Sequence, residues 1–271
     1  AKTDFKLRDS NVDFKLGKLN VVIGPTGSGK SSLLLALLGE MDLVKGKVFL
    51  PGSTPRSELT LNPVTGLTES VAYCSQTPWL LNGTVRENIL FSSPYSKERY
   101  LAVIEACGLK RDLEILQGGD ETEVGEKGVT LSGGQKQRVS LARALYSEAA
   151  YVLLDDCLSA VDSHTAVYIY EQCITGKLMK NRTCILISHN ISLTVREAAW
   201  VVAMENGRVR TQGTVDQLMD DNEFDDETVS SVMASRANSS ANLSAMGEMN
   251  PGILRSPTQH HALVNKVSAL A

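Results

Sequence analysis

The segment Gly24-Pro25-Thr26-Gly27-Ser28-Gly29-Lys30-Ser31 constrains this chain more than any other. It follows Leu19-Asn20-Val21-Val22-Ile23, a mostly apolar run expected of a strand buried on both faces in a parallel sheet. It leads into Ser31 to Leu38, leucine-rich nearly all round, which predicts a buried helix. Strand, glycine-rich turn and helix are the context in which backbone N–H groups wrap phosphates. The glycines let the backbone close around an anion. Lys30 supplies a point charge to it, and the Ser31 hydroxyl can ligate a divalent cation.

Further strands are predicted at Val71-Ala72-Tyr73, Tyr151 to Leu154, Thr183 to Ile187 and Trp200 to Met204, with helical patterns between them. Strands alternating with helices indicate an α/β layer architecture with a parallel sheet. Between Thr84 and Ser147 the pattern changes. Thr84 to Leu90, Lys97 to Cys107 and Gln135 to Tyr146 read as helices with no convincing strand among them, so a helical subdomain is inserted at about 77–148. Residues 45–70, with Pro51, Gly52, Pro55 and Pro63, read as short strands and turns. The ordered domain is expected over 1–220, with a core of 1–76 and 149–220. Asp220, Asp221, Glu223, Asp225, Asp226 and Glu227 then open an acidic, afterwards Ser- and Asn-rich tail over 221–271. Such composition predicts disorder or a linker, with a short docking helix as the other reading. Arg236-Ala-Asn-Ser239 and Arg255-Ser256-Pro257 are weak phosphorylation triplets.

Composition excludes little and bounds much. With 271 residues there is room for one large domain or two small ones. A net charge of −4 gives no general basic surface for nucleic acid. Five scattered cysteines, Cys74, Cys107, Cys157, Cys173 and Cys184, show no C-x-x-C pair and no metal spacing, and read as small buried hydrophobes in a reducing compartment. No apolar run reaches the length of about 18 residues that crosses a bilayer, and no signal peptide is evident. The start at Ala1-Lys2, without Met, reads as a piece cut from a longer protein.

Three other segments carry chemistry. Tyr151-Val-Leu-Leu-Asp155-Asp156 is an apolar strand ending in two carboxylates, which should sit at the strand's end facing a cation or phosphate. Asp155 fits a role at Mg²⁺, and Asp156 is placed to orient or deprotonate an attacking water. Thr183 to His189 is a second strand ending in polar groups, where His189 could meet a terminal phosphate. Leu131-Ser132-Gly133-Gly134-Gln135 admits a plain reading, a helix start with Ser132 as N-cap and Gln135 closing a capping box. That leaves the paired glycines unexplained, since each costs a helix about 1 kcal/mol relative to alanine. Bare residues in a first turn make sense where something approaches the backbone, and a helix N-terminus suits an anion.

Taken together and in order, these segments resemble the nucleotide-binding domain of ATP-binding cassette (ABC) transporters over about residues 5–220. Gly24 to Ser31 is similar to the family's Walker A motif, Gln76 in Tyr73-Cys-Ser-Gln-Thr-Pro-Trp79 to the Q-loop, and Leu131 to Gln135 to the signature. Val152 to Asp155 resembles Walker B, Ser159-Ala160-Val161-Asp162 the D-loop, and His189 the switch histidine. The resemblance implies a P-loop NTPase (RecA-like) core with an N-terminal antiparallel β subdomain and an inserted helical signature subdomain, and a C-terminal tail that is disordered or partly helical. It implies that Gly24, Thr26, Gly27, Ser28, Gly29, Lys30, Ser31 and Ser32 bind ATP, and that Ser31, Gln76 and Asp155 hold Mg²⁺. It makes Asp156, His189 and Gln76 the catalytic groups. Ser132, Gly133, Gly134, Gln135 and Asp162 would meet a second ATP across a dimer of such domains.

Trp79 to Phe91 and Thr122-Glu-Val-Gly-Glu-Lys-Gly128 are similar to exporter sequences, the second to the loop that meets the coupling helices of the membrane domains. Asp155 to Asp162 resembles the first nucleotide-binding domain of the C subfamily, the multidrug-resistance-associated transporters, with a fungal cast. The partners implied are the second nucleotide-binding domain of the same polypeptide and the transmembrane domains. The implied place is the cytoplasmic face of a membrane, with no nucleic acid bound and no direct insertion. Two departures matter. Most family members carry glutamate where this chain has Asp156, one methylene shorter, which predicts tight binding and slow hydrolysis at its own site. The family's adenine-stacking aromatic normally lies some 25 residues before the loop, whereas 23 residues precede Gly24 here; Phe5 reads better as a strand core residue. The competing readings are a soluble ABC ATPase of translation or DNA repair, expected to lack the Thr122–Gly128 loop, and a regulatory ATP-binding domain without turnover.

Overall fold

A computed structural model describes residues 5–49, 58–125 and 130–247, with side chains as far as 237. Pro51, Gly52 and Pro55, the Glu126-Lys127-Gly128 end of the exporter-like loop, and Ser256 lie outside the described residues, as does the side chain of Ser239.

A six-stranded sheet organises the chain. Its strands are β1 (Leu19–Ile23), β2 (Thr68–Cys74), β5 (Ala149–Asp155), β6 (Thr183–Ile187), β7 (Trp200–Glu205) and β8 (Arg208–Gly213). The order is β2-β5-β6-β1-β7-β8, parallel throughout except for the β7–β8 hairpin at one edge. Alternate residues serve opposite faces, as the two-residue strand period requires. Val22, Leu153, Ile185 and Val202 pack on one face against Leu33 and Leu34 of α1 (Lys30–Leu37). Val152, Leu154, Cys184 and Leu186 face the opposite way into the core that includes α5 (Gly133–Tyr146). Both faces are therefore covered, which is why these strands read as unbroken apolar runs. Only Leu33 and Leu34 of the α1 leucines are buried; Leu35 and Leu37 are half-buried.

The inserted region contains α2 (Val85–Leu90), α3 (Lys97–Ala106), α4 (Lys110–Ile115) and α5. It also contains a short antiparallel pair, β3 (Gly83–Thr84) with β4 (Glu123–Val124), where no strand was expected. Two residues a side are too few to show an alternating pattern. Thr84 caps α2 and forms a capping box with Glu87. Downstream of β5 lie α6 (Ser163–Ile169), α7 (Ile191–Thr194), α8 (Val215–Asp220) and α9 (Asp226–Gly247).

Among the described residues the N-terminal side does not form the antiparallel ladder expected there. Residues 5–15 carry no strand, Arg8 N–H donates to Gly207 O at 2.9 Å, and residues 45–70 contribute one isolated bridge, Leu61 to Thr68, ahead of β2. The antiparallel pairing of the main sheet lies instead at β7–β8. Phe5 is not a core residue. It is 47% exposed, its ring lying against Gly29 and Gly207.

The chain divides into two compact units, Ala1–Val232 and Met233–Ala271. The first turns of α9 belong to the first unit. Asp225 accepts from Thr228 N–H at 2.8 Å, Thr228 is buried, and Val232 packs in the cluster of Val21, Ile23, Val201, Val215 and Leu218. The acidic stretch read as a linker thus opens a 22-residue helix. All five cysteines are buried and free. No helix among the described residues is long and apolar enough to cross a membrane.

Candidate functional site

The carboxyl ends of the parallel strands converge, and the loops that leave β1, β2, β5 and β6 carry residues singled out above. In open α/β sheets this edge is where ligands bind. The chain leaves β1 through Gly24, whose φ is 144° and whose Cβ, if it had one, would collide with the Met204 carbonyl oxygen. Gly29, at φ 101°, is the residue before α1 and provides no side-chain cap, so the helix opens on bare backbone. Only glycine meets both demands without strain. Thr26 and Gly27 are exposed at the tip, and Ser32 is half-buried on the first turn of α1. Ser28 is buried, its hydroxyl without a hydrogen-bond partner in the structure.

Lys30 is buried, its ammonium donating to Gly24 O at 2.8 Å and Pro25 O at 3.0 Å. Burial pulls its pKa below the usual lysine value, while Asp156 and Asp155 pull it back up. The Ser31 hydroxyl donates to Asp155 Oδ1 at 3.0 Å, joining the turn after β1 to the end of β5. Tyr73 on β2 donates to the other oxygen, Asp155 Oδ2, at 3.4 Å. Burial raises the Asp155 carboxyl above the ordinary carboxylate range and the Asp156 charge adds to this, while the two hydroxyls and Lys30 oppose it. The Tyr73 phenol is pushed up to about 12, by burial first and then by the Asp155 charge.

Asp156 sits just past β5 with φ 47°, a left-handed conformation that aspartate tolerates better than most residues. Its N–H donates to Ile187 O at 3.0 Å, which ties it to the end of β6. The carboxylate is buried, receives Gln76 Nε2 at 3.4 Å on Oδ2, and has His189 Nε2 4.0 Å from the same oxygen. His189 is itself 44% exposed. Lys30, Ser31, Gln76, Asp155, Asp156 and His189 are thus brought together.

The signature residues form a second cluster. Ser132 Oγ accepts from Gln135 N–H at 3.3 Å, and Gln135 Oε1 accepts from Ser132 N–H at 2.9 Å, the capping box of the plain reading. Gln135 Nε2 also donates to Asp112 Oδ1 at 3.0 Å, and Arg138 pairs with Asp112 Oδ2 at 2.6 Å. A Cβ at Gly133 would meet nothing within 4 Å among the described residues. At Gly134 a Cβ would stand 3.0 Å from the Ala160 carbonyl oxygen. What approaches the backbone at Gly134 within this chain is the loop after β5. Asp162 caps α6, receiving Thr165 N–H at 3.0 Å and the Thr165 hydroxyl at 2.7 Å, and these bonds hold its carboxyl below the usual range.

Sequence reading passed over Tyr73, the Asp112–Arg138 brace and the Ala160 carbonyl. The Tyr73 contact depends on the register of β2 on β5, which pairs Tyr73 with Leu153. A tyrosine in an apolar strand gave no sign of it.

A glycine-lined turn opening a helix, a buried lysine at its base, and a serine hydroxyl bonded to a strand-end carboxylate define a P-loop nucleotide-binding domain. Hydroxyl, carboxylate and amide oxygens are the donors a hard divalent cation takes, and the partnerless Ser28 hydroxyl lies inside the loop. These residues fit a nucleoside triphosphate with Mg²⁺.

Comparison with known proteins carries the class to a family. The sequence model of the ABC transporter family matches residues 7–159. The chain is 62% identical over 267 residues, 98% of its length, to the ATP-dependent bile acid permease of Saccharomyces cerevisiae. It is 60% identical over 225 residues (83% of the chain) to the ABC transporter ATP-binding protein/permease VMR1 of the same species. It is 54% identical over 259 residues (95% of the chain) to the pleiotropic ABC efflux transporter of multiple drugs YBT1 of Candida glabrata. The chain belongs to the ABC transporter family, with fungal transporters among its relatives. It spans 14–16% of the length of these three.

Proposed function

We propose that this chain is the ATP-binding and ATP-hydrolysing module of a fungal ABC exporter, the first nucleotide-binding domain of a C-subfamily transporter, working at the cytoplasmic face of a membrane. The observation that carries this reading is the Ser31–Asp155 hydrogen bond with Gln76 and His189 both turned to Asp156. Bound ATP with Mg²⁺ supplies the phosphoryl group whose transfer to water drives the cycle. Gly24 to Ser32 wrap the phosphates with backbone N–H groups, and Lys30 adds its charge. Ser31, Asp155 and Gln76 would hold Mg²⁺ through oxygen. The Asp156 carboxylate orients a water and takes its proton at Oδ2, and His189 adds a donor beside it. Ser132, Gly133, Gly134, Gln135 and Asp162 face the ATP of a second nucleotide-binding domain. Closure and reopening of the pair move transmembrane domains through coupling helices that meet the Thr122–Gly128 loop.

Asp156 makes this chain's own site slow. Relative to glutamate the carboxylate is withdrawn by about 1 Å, a displacement that can cost on the order of 10²-fold in rate. The experiment is ATP hydrolysis by the full-length transporter carrying Asp156→Glu. A faster turnover is expected at this site. Unchanged turnover would count against the slow-site reading and favour a domain that binds ATP to regulate its partner.

A further inference from the structure

We propose that Tyr73 is a positioning residue for the Mg²⁺ site, fixing the rotation of the Asp155 carboxylate so that Oδ1 stays with Ser31. This rests on the reading of Lys30, Ser31 and Asp155 as the ATP–Mg²⁺ site and adds to it a residue from a different strand. Asp155 has two carboxylate oxygens with different partners: Oδ1 accepts from the Ser31 hydroxyl at 3.0 Å and Oδ2 from the Tyr73 hydroxyl at 3.4 Å. With both oxygens engaged, the carboxylate cannot turn about its Cβ–Cγ bond without breaking a hydrogen bond. Tyr73 can impose that constraint because its own ring is fixed. It packs against the cluster of Val22, Leu34, Leu153 and Ile185 between sheet and α1. The register pairs Tyr73 with Leu153, so Asp155 is the next residue along β5 on the same face, a diagonal that an aromatic side chain spans. The same strand sends Gln76 to the other acid, Asp156. One end of β2 therefore supplies a donor to each carboxylate. Groups that hydrogen-bond a metal ligand set its orientation, and their loss typically weakens metal binding without unfolding the site.

The test compares Tyr73→Phe with the unsubstituted sequence in the full-length transporter, by binding of a fluorescent ATP analogue with Mg²⁺ and with EDTA. Phenylalanine keeps the ring in the apolar cluster and removes the hydroxyl alone. Binding with Mg²⁺ is expected to weaken about tenfold, and the Mg²⁺ concentration for half-maximal binding to rise. Binding in EDTA should stay within about twofold, since the phosphate loop is untouched. Equal loss with and without Mg²⁺ would mean that Tyr73 only packs, and no loss in either would mean that its hydroxyl is idle; each overturns the proposal. Lys30→Ala is the control for the underlying reading. If it removes the share of binding that belongs to this domain's site while Tyr73→Phe leaves the Mg²⁺ dependence unchanged, the inference about Tyr73 alone fails. If Lys30→Ala binds as before, the site reading fails and this inference with it.

Discussion

At the scale of single residues, the two charges that hold the site are both uncomfortable in the folded protein. Asp155 has its pKa raised by burial and Lys30 has its lowered by burial. For a carboxyl with a raised folded pKa, the stabilising contribution is present below the unfolded value of roughly 3.9 and is lost as pH rises through the folded value. Ionised Asp155 therefore costs stability at about pH 7. For a lysine with a lowered folded pKa, the contribution is present above the unfolded value and is lost as pH falls through the folded one, so charged Lys30 also costs at neutral pH. Asp155→Asn is expected to melt at or above the unsubstituted protein at about pH 7 without Mg²⁺. That advantage should shrink as pH falls through the raised Asp155 value, where the carboxyl itself takes up a proton. Mg²⁺ with ATP should reverse the ranking, because a ligand that binds the folded state through Asp155 stabilises only the chain that keeps it. Thermal melts across pH, with and without Mg²⁺–ATP, check all three.

At the scale of elements, the start of α5 is a joint between two loops. A side chain at Gly134 would press on the Ala160 carbonyl, and Ser159 beside it donates both its N–H and its hydroxyl to the Asp156 carbonyl, at 3.3 and 2.9 Å. Gly134→Val is therefore expected to disturb this chain's own Asp156 as well as the ATP that α5 faces across the pair. Gly133→Ala, which meets nothing among the described residues, should leave melting unchanged or raise it, by up to about 1 kcal/mol of helix propensity. Measuring melting and hydrolysis for both separates packing from contact with the partner. Further along α5, buried Arg143 donates to Asn88 O at 2.8 Å and to Asn88 Oδ1 at 2.9 Å, and its guanidinium lies 4.0 Å from the Trp79 ring centre. Asn88 in turn donates to Leu81 O and Thr84 O, both at 3.0 Å, so it joins α5 to the segment that follows Gln76. Asn88→Ala should cost about 2–4 kcal/mol in denaturant unfolding, because it leaves several buried groups without partners.

At the scale of the whole molecule, the parallel part of the sheet was legible, its β2 edge included, and the antiparallel edge strand β8 was not. Leu19–Ile23 and Thr183–Ile187 begin and end where their apolar runs do, because both are buried on two faces. The polar edge strand Arg208–Gly213 carries no such run, since much of it faces solvent. The start of α9 was only the second reading of its segment for a related reason. Its acidic, Ser-rich composition reads as solvated, yet Thr228 and Val232, four residues apart, anchor one face to the domain. Val232→Ala is expected to lower stability by about 2 kcal/mol, whereas Ser230→Ala, on an exposed position of the same helix, should fall within about 0.5 kcal/mol of the unsubstituted chain. Chemical denaturation of the two variants tests whether the domain extends into α9. The residues of the site divide in the same way. The loop, the paired aspartates, the histidine and the signature each announce themselves locally, because their chemistry needs particular residue types at short spacings. That was enough to determine an α/β nucleotide-binding chain and its resemblance to the ABC transporters. The tertiary structure alone decided that Ser31 meets Asp155 across 124 residues, that Tyr73 reaches the second oxygen across 82, and that Gly134 lies under the Ala160 carbonyl. Those contacts depend on strand order and register, which fix distance in space while the periodicity of a sequence fixes only which face a residue takes.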